Sequence, residues 1–377
     1  MKQPAGPNHL QIIDLARTAA IMTVMAFHLK PTLPLPPPAF RWGWDHFQRN
    51  GEYGVCMFFV ISGFLITRIL DSGGNRLFRS GWRWFYARRV GRIIPLFLLA
   101  VFLGLALVWM FQDGSKKFIY CFKLPQDPGT LSFWVPLFTF TFNWARTENW
   151  NGIGIEWVLF WSLAVEEQFY LLYPLALRLL GNLKNLALFL AFVVLLGLGW
   201  RWGVYLSGND NIHTSMRTSP GAFDQIAFGA LLYLAYKYKA LFFSKNKALS
   251  FWVMGAGFLI LAATYLNTFP IGERLDRIYG PTLIAAGLFL FLLGGLHLPF
   301  FESKDLRVFS LPGKFSYGNY LFHIPVLFFI HSFLWDLNIV AAFFLYVAVT
   351  TALSALSYRF FEAPANRLIR RIFGVES

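Results

Sequence analysis

Ten stretches of mostly apolar residues recur along the 377-residue chain, at 12–30, 52–70, 92–111, 157–179, 186–206, 222–240, 249–267, 281–298, 315–334 and 339–361. About 20 such residues make a helix long enough to cross the hydrocarbon of a bilayer. A helix also satisfies its own backbone polar groups, as lipid demands. The pattern therefore predicts an all-α, polytopic integral membrane protein of about ten transmembrane helices. The chain is 56% hydrophobic and only 14% charged, with a mean hydropathy of +0.51, more apolar than soluble domains are. Its 43 Phe and 14 Trp suit lipid-facing surfaces and interfacial belts. The stretch 132–143, FWVPLFTFTFNW, is apolar but short and holds Pro136; it reads as an interfacial or re-entrant segment.

Charge orients the spans. With the N-terminus inside, the inner segments 1–11, 68–92, 178–185, 237–248, 299–314 and 359–377 hold 21 of the 33 Lys and Arg. This positive-inside bias places both termini in the cytoplasm and the protein in a bacterial cytoplasmic membrane as a multi-pass protein. Counting 132–143 as a span would invert the loop that carries Lys237, Lys239, Lys245 and Lys247. The net charge of +14 is explained by these anchors, so membrane lipids rather than nucleic acid are the expected partners. No cleavable signal segment is apparent, since Asp14 and Arg17 interrupt the first apolar run. No hydrophilic segment is long enough for a soluble domain and no internal repeat is visible, so residues 1–377 read as a single transmembrane domain. The two cysteines, Cys56 and Cys121, make neither a metal site nor a disulfide framework; both fall near the outer face, where a bridge between them is one option. No metal is expected. The proline-rich 31–40 reads as a stiff exit from the first span. Nothing in the sequence sets an oligomeric state.

Ionisable residues inside apolar spans are costly and usually mark function. The first span, DLARTAAIMTVMAFHLKP, holds Asp14, Arg17 and His28. Arg17 and His28 are close to three full turns apart, on one helix face and roughly 16 Å along the axis. The fourth span, WSLAVEEQFYLLYPL, carries Glu166 and Glu167 side by side, pointing about 100° apart. Ser62 and Gly63 lie mid-span in GVCMFFVISGFLIT; small residues there allow close helix packing, and a serine lining a polar cavity is the functional alternative. In RRVGR, Arg89 and Arg92 share a face. They serve as a positive-inside anchor or hold phosphates. His323, in SYGNYLFHIPVLFF, is near mid-bilayer, as a satisfied core imidazole or a substrate contact.

These blocks resemble the acyltransferase-3 family of membrane O-acyltransferases along nearly the whole chain. DLARTAAIMTVMAFH resembles the family's opening helix, GVCMFFVISGFLIT its second, and RRVGR supplies its RxxR pair. WSLAVEEQFYLLYPL, SYGNYLFHIPV and SYRFFEAP resemble its later blocks. Cys56 departs from the pattern, in which an Asp is common. The resemblance implies ten core helices and transfer of an acyl group, commonly acetyl from acetyl-CoA, to a hydroxyl of a carbohydrate. It implies a stand-alone enzyme without the SGNH-type domain that some members carry, and no tightly bound cofactor. In that scheme Arg17, Arg89 and Arg92 hold the acyl-CoA phosphates, and His28 is the general base or carries the acyl group briefly. Glu166 or Glu167 orients an imidazole or binds the acceptor, with Glu166 taken as the catalytic carboxylate and Ser62, Glu167 and His323 as substrate contacts. A proton-coupled transporter of a lipid- or sugar-like substrate would use the same intramembrane Glu, His and Arg, and a scaffold of a glycan-assembly complex would not need them.

Overall fold

In the computed structural model the described residues are 10–29, 41, 45–46, 50–72, 77–79, 81–110, 124, 131–145, 154–208, 215–266, 272–333 and 337–375. Every regular element among them is helical. Ten helices are long: α1 (Gln11–His28), α2 (Glu52–Ser72), α3 (Trp82–Met110), α5 (Phe160–Leu180), α6 (Leu183–Leu206), α7 (Ser219–Lys245), α8 (Lys247–Tyr265), α9 (Gly272–Gly295), α10 (Ser316–Phe333) and α11 (Ile339–Ser357). They coincide with the ten apolar stretches. Two are short, α4 (Leu131–Phe138) and α12 (Ala363–Ile372). The molecule is an all-α polytopic membrane protein. Six helical segments among the described residues are long and apolar enough to cross a membrane by length and composition. The long helices outside that group, α1, α5, α7 and α10, carry many of the interior polar and ionisable residues, among them Asp14, His28, Asp224 and His323.

Burial follows charge. Most of α1 is shielded, from Gln11 to His28, whereas α6, α8 and α11 turn Phe192, Trp252 and Phe344 outward. A bundle in lipid gains little by hiding apolar surface, so its buried interfaces rely on close packing and polar contacts. Gly63 of α2 and Gly229 of α7 show the first. A Cβ on Gly63 would overlap the Ile226 carbonyl, and one on Gly229 would overlap the Val60 carbonyl. The two backbones therefore touch reciprocally, while the neighbouring Ser62 is left to face a cavity. Arg201 shows the second. It is fully buried and forks onto Asp224 at 2.8 and 3.2 Å. It also donates to the Ile278 carbonyl at 2.8 Å, and Thr282 donates to Asp224 at 2.8 Å. This network joins α6, α7 and α9.

Three local features bear on the site. The basic segment before the third span is not a loop: α3 begins at Trp82, so Arg83, Arg88, Arg89 and Arg92 lie on its first turns. Burial of Phe85, Ala87 and Arg89 and packing of α12 across this end hold a helix that its own N-terminal charges disfavour. The chain beyond α11 continues through a π-helical turn, Tyr358–Glu362, into α12. The stretch 132–143 folds as the eight-residue α4 and a single 3-10 turn, too short to span. Gln168 of α5 holds it, donating to the Phe140 carbonyl at 2.6 Å and to Asn143 at 2.8 Å. Cys56 is buried; Cys121 and the proline-rich 31–40 lie outside the described residues.

Removing one member of a buried, bonded ion pair leaves an uncompensated charge and costs about 3–5 kcal/mol. Arg201→Ala is therefore expected to lower the melting temperature of the detergent-purified protein sharply. The paired change Arg201→Met with Asp224→Leu should recover much of the loss.

Candidate active site

Two adjoining cavities enter the bundle from one end. The outer one, about 580 Å³, is lined by Asp14, Arg17, Arg88, Arg92 and Glu362, with Lys314, Arg367 and Arg370. These residues come from the start of α1 and α3, the turn before α10, and α12. All lie in or beside segments that charge alone assigns to the inner face. The inner cavity, about 140 Å³, shares Arg17, Arg92 and Tyr317 with the first and runs on between α2, α3, α5 and α10. Its lining is mainly apolar, with Ser62, Arg89, Ser162, Glu166, Tyr170 and Tyr320 as polar points.

The charged groups form one chain of partners. Asp14 and Arg17 pair at 3.6 Å, one turn apart on α1. Asp14 is steadied from behind, since Thr18 Oγ1 donates to its carbonyl at 3.0 Å and accepts from the Gly313 N–H at 2.9 Å. A Cβ at Gly313 would overlap the Asp14 carbonyl, so only glycine lets that turn close on α1. Arg89 is buried with its guanidinium 4.7 Å from the Tyr170 ring centre. The Glu166 carboxylate faces the Ser62 and Tyr170 hydroxyls, with Arg89 and Arg17 in its field, and Ser62 hydrogen-bonds Tyr170. Arg17, Arg89, Arg92, Ser62 and Glu166 thus meet in one place. Glu167 points elsewhere: it does not line this cavity, and its Oε1 is buried without a hydrogen-bond partner.

His28 is at the other end of α1, away from Glu166. Its neighbour is His323: the Nε2 of His323 lies 3.3 Å from the Nδ1 of His28, and both rings are buried. The backbone assigns the protons. His323 Nδ1 is 2.7 Å from the Tyr320 carbonyl, which can only accept, so Nδ1 carries hydrogen and Nε2 is the acceptor. His28 Nδ1 lies 2.9 Å from the Val24 carbonyl and donates towards both it and His323 Nε2. The lone pair of His28 is then on Nε2. Tyr320 stands between this pair and the inner cavity, its ring 5.7 Å from that of His323 and its hydroxyl 2.7 Å from Ser162 Oγ. Tyr170, Tyr320 and Ser162 escaped sequence reading, because a tyrosine or serine in an apolar span carries no signal of the direction it faces. The block SYGNYLFH holds Tyr320 and His323 three residues apart, which puts them on one face and was the available clue.

Among the described residues, no group of three or more His, Cys, Asp or Glu is placed to hold a metal ion. The arrangement can hold an anionic group at the wide mouth, an extended and mostly apolar arm in the neck, and a proton at an imidazole beyond it.

A family model described as an acyltransferase domain matches residues 10–359. The O-acetyltransferase OatA of Staphylococcus aureus is 28% identical over 96% of this chain and 58% of its own length. The peptidoglycan O-acetyltransferase OatA of Listeria monocytogenes is 30% identical over 94% of this chain and 55% of its own. The chain therefore spans little more than half the length of these curated relatives. No solved structure matches it.

The packing at Gly313 gives a direct check. Gly313→Val should push the turn off α1, disturb the Asp14–Arg17 end of the cavity and lower thermal stability by about 1–3 kcal/mol, read as a loss of melting temperature in detergent. Gly208→Ala, where an added Cβ meets open space but φ is +74°, should cost only about 1 kcal/mol.

Proposed function

This chain belongs to the acyltransferase-3 family, and we propose that it is a membrane O-acyltransferase moving an acyl group, acetyl foremost, from cytoplasmic acyl-CoA to a hydroxyl of a glycan on the outer side of a bacterial cytoplasmic membrane. The observation that carries the reading is the continuity of the two cavities. A basic mouth leads into a narrow, largely apolar neck, and the neck ends at Tyr320, which touches the histidine pair. That sequence of environments matches an acyl-CoA from its phosphates to its thioester. The names of the relatives support acetyl as the group and peptidoglycan as the kind of acceptor.

In this reading Arg17, Arg89 and Arg92 hold the donor pyrophosphate by charge-assisted hydrogen bonds. Glu166 keeps Arg17 and Arg89 in place, and with Ser62 and Tyr170 it offers hydrogen bonds to the amides of the pantetheine arm. The thioester reaches the Ser162–Tyr320 end. His28 Nε2 takes the proton of the acceptor hydroxyl as its oxygen attacks the thioester carbonyl; the carbon–sulfur bond breaks and the CoA thiolate leaves towards the cytoplasm. His323 holds the His28 ring and its tautomer, as an orienting group does for a catalytic imidazole. Glu166 is then a donor-site residue rather than the partner of His28, and His323 is a positioning residue rather than an acceptor contact. The excess of Lys and Arg on the segments read as inner supports a cytoplasmic basic mouth, on the side where acyl-CoA is made.

Removal of a general base costs about 10²–10⁴-fold in rate. His28→Ala is expected to lose acyl transfer by that amount, measured with labelled acetyl-CoA and peptidoglycan fragments, while its melting temperature stays near that of the parent. Full activity in this variant would overturn the assignment. Arg89→Gln with Arg92→Gln should weaken acyl-CoA binding in calorimetry by at least about tenfold and leave the histidine pair intact. A protein that moves a sugar or lipid across vesicles without modifying it would be a carrier instead.

A further inference from the structure

The outer wall of the basic cavity is not used by the reading above. Arg367 and Arg370 are three residues apart on α12 and so share one face; both line the cavity with Arg88 of α3 and Lys314. Arg88 and Arg370 are close enough to repel one another. The Nε of Arg88 and the Nε and Nη2 of Arg370 are sealed from solvent without a hydrogen-bond partner. Buried donors of this kind are rare and costly in a finished structure, and two cations held together with idle donors describe a site for an anion. The register is built in. Gly91 of α3 packs on Asn366 of α12, where an added Cβ would come within 3.0 Å of Oδ1, so close helix packing brings Arg88 and Arg370 near one another.

We propose that α12, with Arg88 and Lys314, forms a second phosphate subsite that takes the 3′-phosphate on the adenosine end of the donor CoA. The inference rests on the acyl-CoA reading. Order along the cavity selects this phosphate. With the thioester in the neck and the pyrophosphate at Arg17, Arg89 and Arg92, the part of the donor farthest from the thioester lies outward, towards Arg88, Arg367 and Arg370. A phosphate monoester carries close to two charges at neutral pH and three acceptor oxygens, a match for two facing guanidinium groups. The same chemistry is found on anionic lipid headgroups, and the test separates the two.

The experiment measures binding of CoA and of 3′-dephospho-CoA to the full chain in nanodiscs, with and without phosphatidylglycerol. The parent should prefer CoA by at least about tenfold. Arg367→Gln with Arg370→Gln should erase that preference and leave dephospho-CoA binding unchanged, and Arg88→Gln, on a different helix, should do the same. Arg370→Lys should keep part of it. A preference for CoA that survives in these variants overturns the subsite, as does a parent that binds the two nucleotides equally. Variants that alter only the dependence on phosphatidylglycerol assign the cluster to lipid and overturn it too. If neither nucleotide binds the parent, the acyl-CoA reading itself fails. Equal melting temperatures for parent and variants keep misfolding apart from each of these results.

Discussion

A charged side chain facing lipid costs several kcal/mol unless it is paired, hydrated or turned inward, and the arrangement of the helices follows from that cost. Helices α1, α5 and α7 turn ionisable groups inward, α3 and α6 do the same with Arg89 and Arg201, and the other faces of α6, α8 and α11 turn Phe, Trp and Leu outward. Several interior charges are then answered locally. Arg201 meets Asp224 at 2.8 Å, Arg17 meets Asp14 at 3.6 Å, and Arg89 lies over Tyr170. These solutions are of two kinds. The Arg201 network is closed among α6, α7 and α9, with Asp224, Thr282 and the Ile278 carbonyl as partners, and it reads as structure. The Arg17, Arg89 and Glu166 group borders open space and reads as a site.

The same contrast organises α1. Its N-terminal end is fastened by Gly313 and Thr18 and presents Asp14 and Arg17 to a basic mouth. Its other end presents His28 to a second imidazole from α10. One helix thereby sets the separation between the Asp14–Arg17 pair and the His28–His323 pair. Rigid elements hold reactive groups better than loops, because their side chains are locked by packing. The neck between the two ends is narrow and apolar, and Tyr320 and Ser162 close it with hydroxyls that share the Leu159 carbonyl.

Much of this was legible in the linear chain. Ten helices follow from ten apolar stretches, and the group Arg17, Arg89 and Arg92 follows from cations placed where lipid discourages them. The failures have physical causes. Charge clusters were read as loops at 68–92, although Arg stems pack well on a helix whose other face is buried. The cost of a charge in lipid marks Glu166 and His28 alike, yet cost says nothing of partner. Glu166 is on α5 beside α2 and α3, and His28 is near α10.

The sequence by itself determined the class of protein and the list of residues that must be explained, because hydropathy and the price of burying charge depend only on composition along each span. Only the tertiary structure decided which of those residues meet. Helix rotation and neighbour choice are set by close packing, as at Gly63 against Gly229, and by hydrogen bonds between residues as distant in sequence as His28 and His323. It is that packing which turns α12 from a basic tail into a wall of the cavity and makes His323, rather than a carboxylate, the partner of His28.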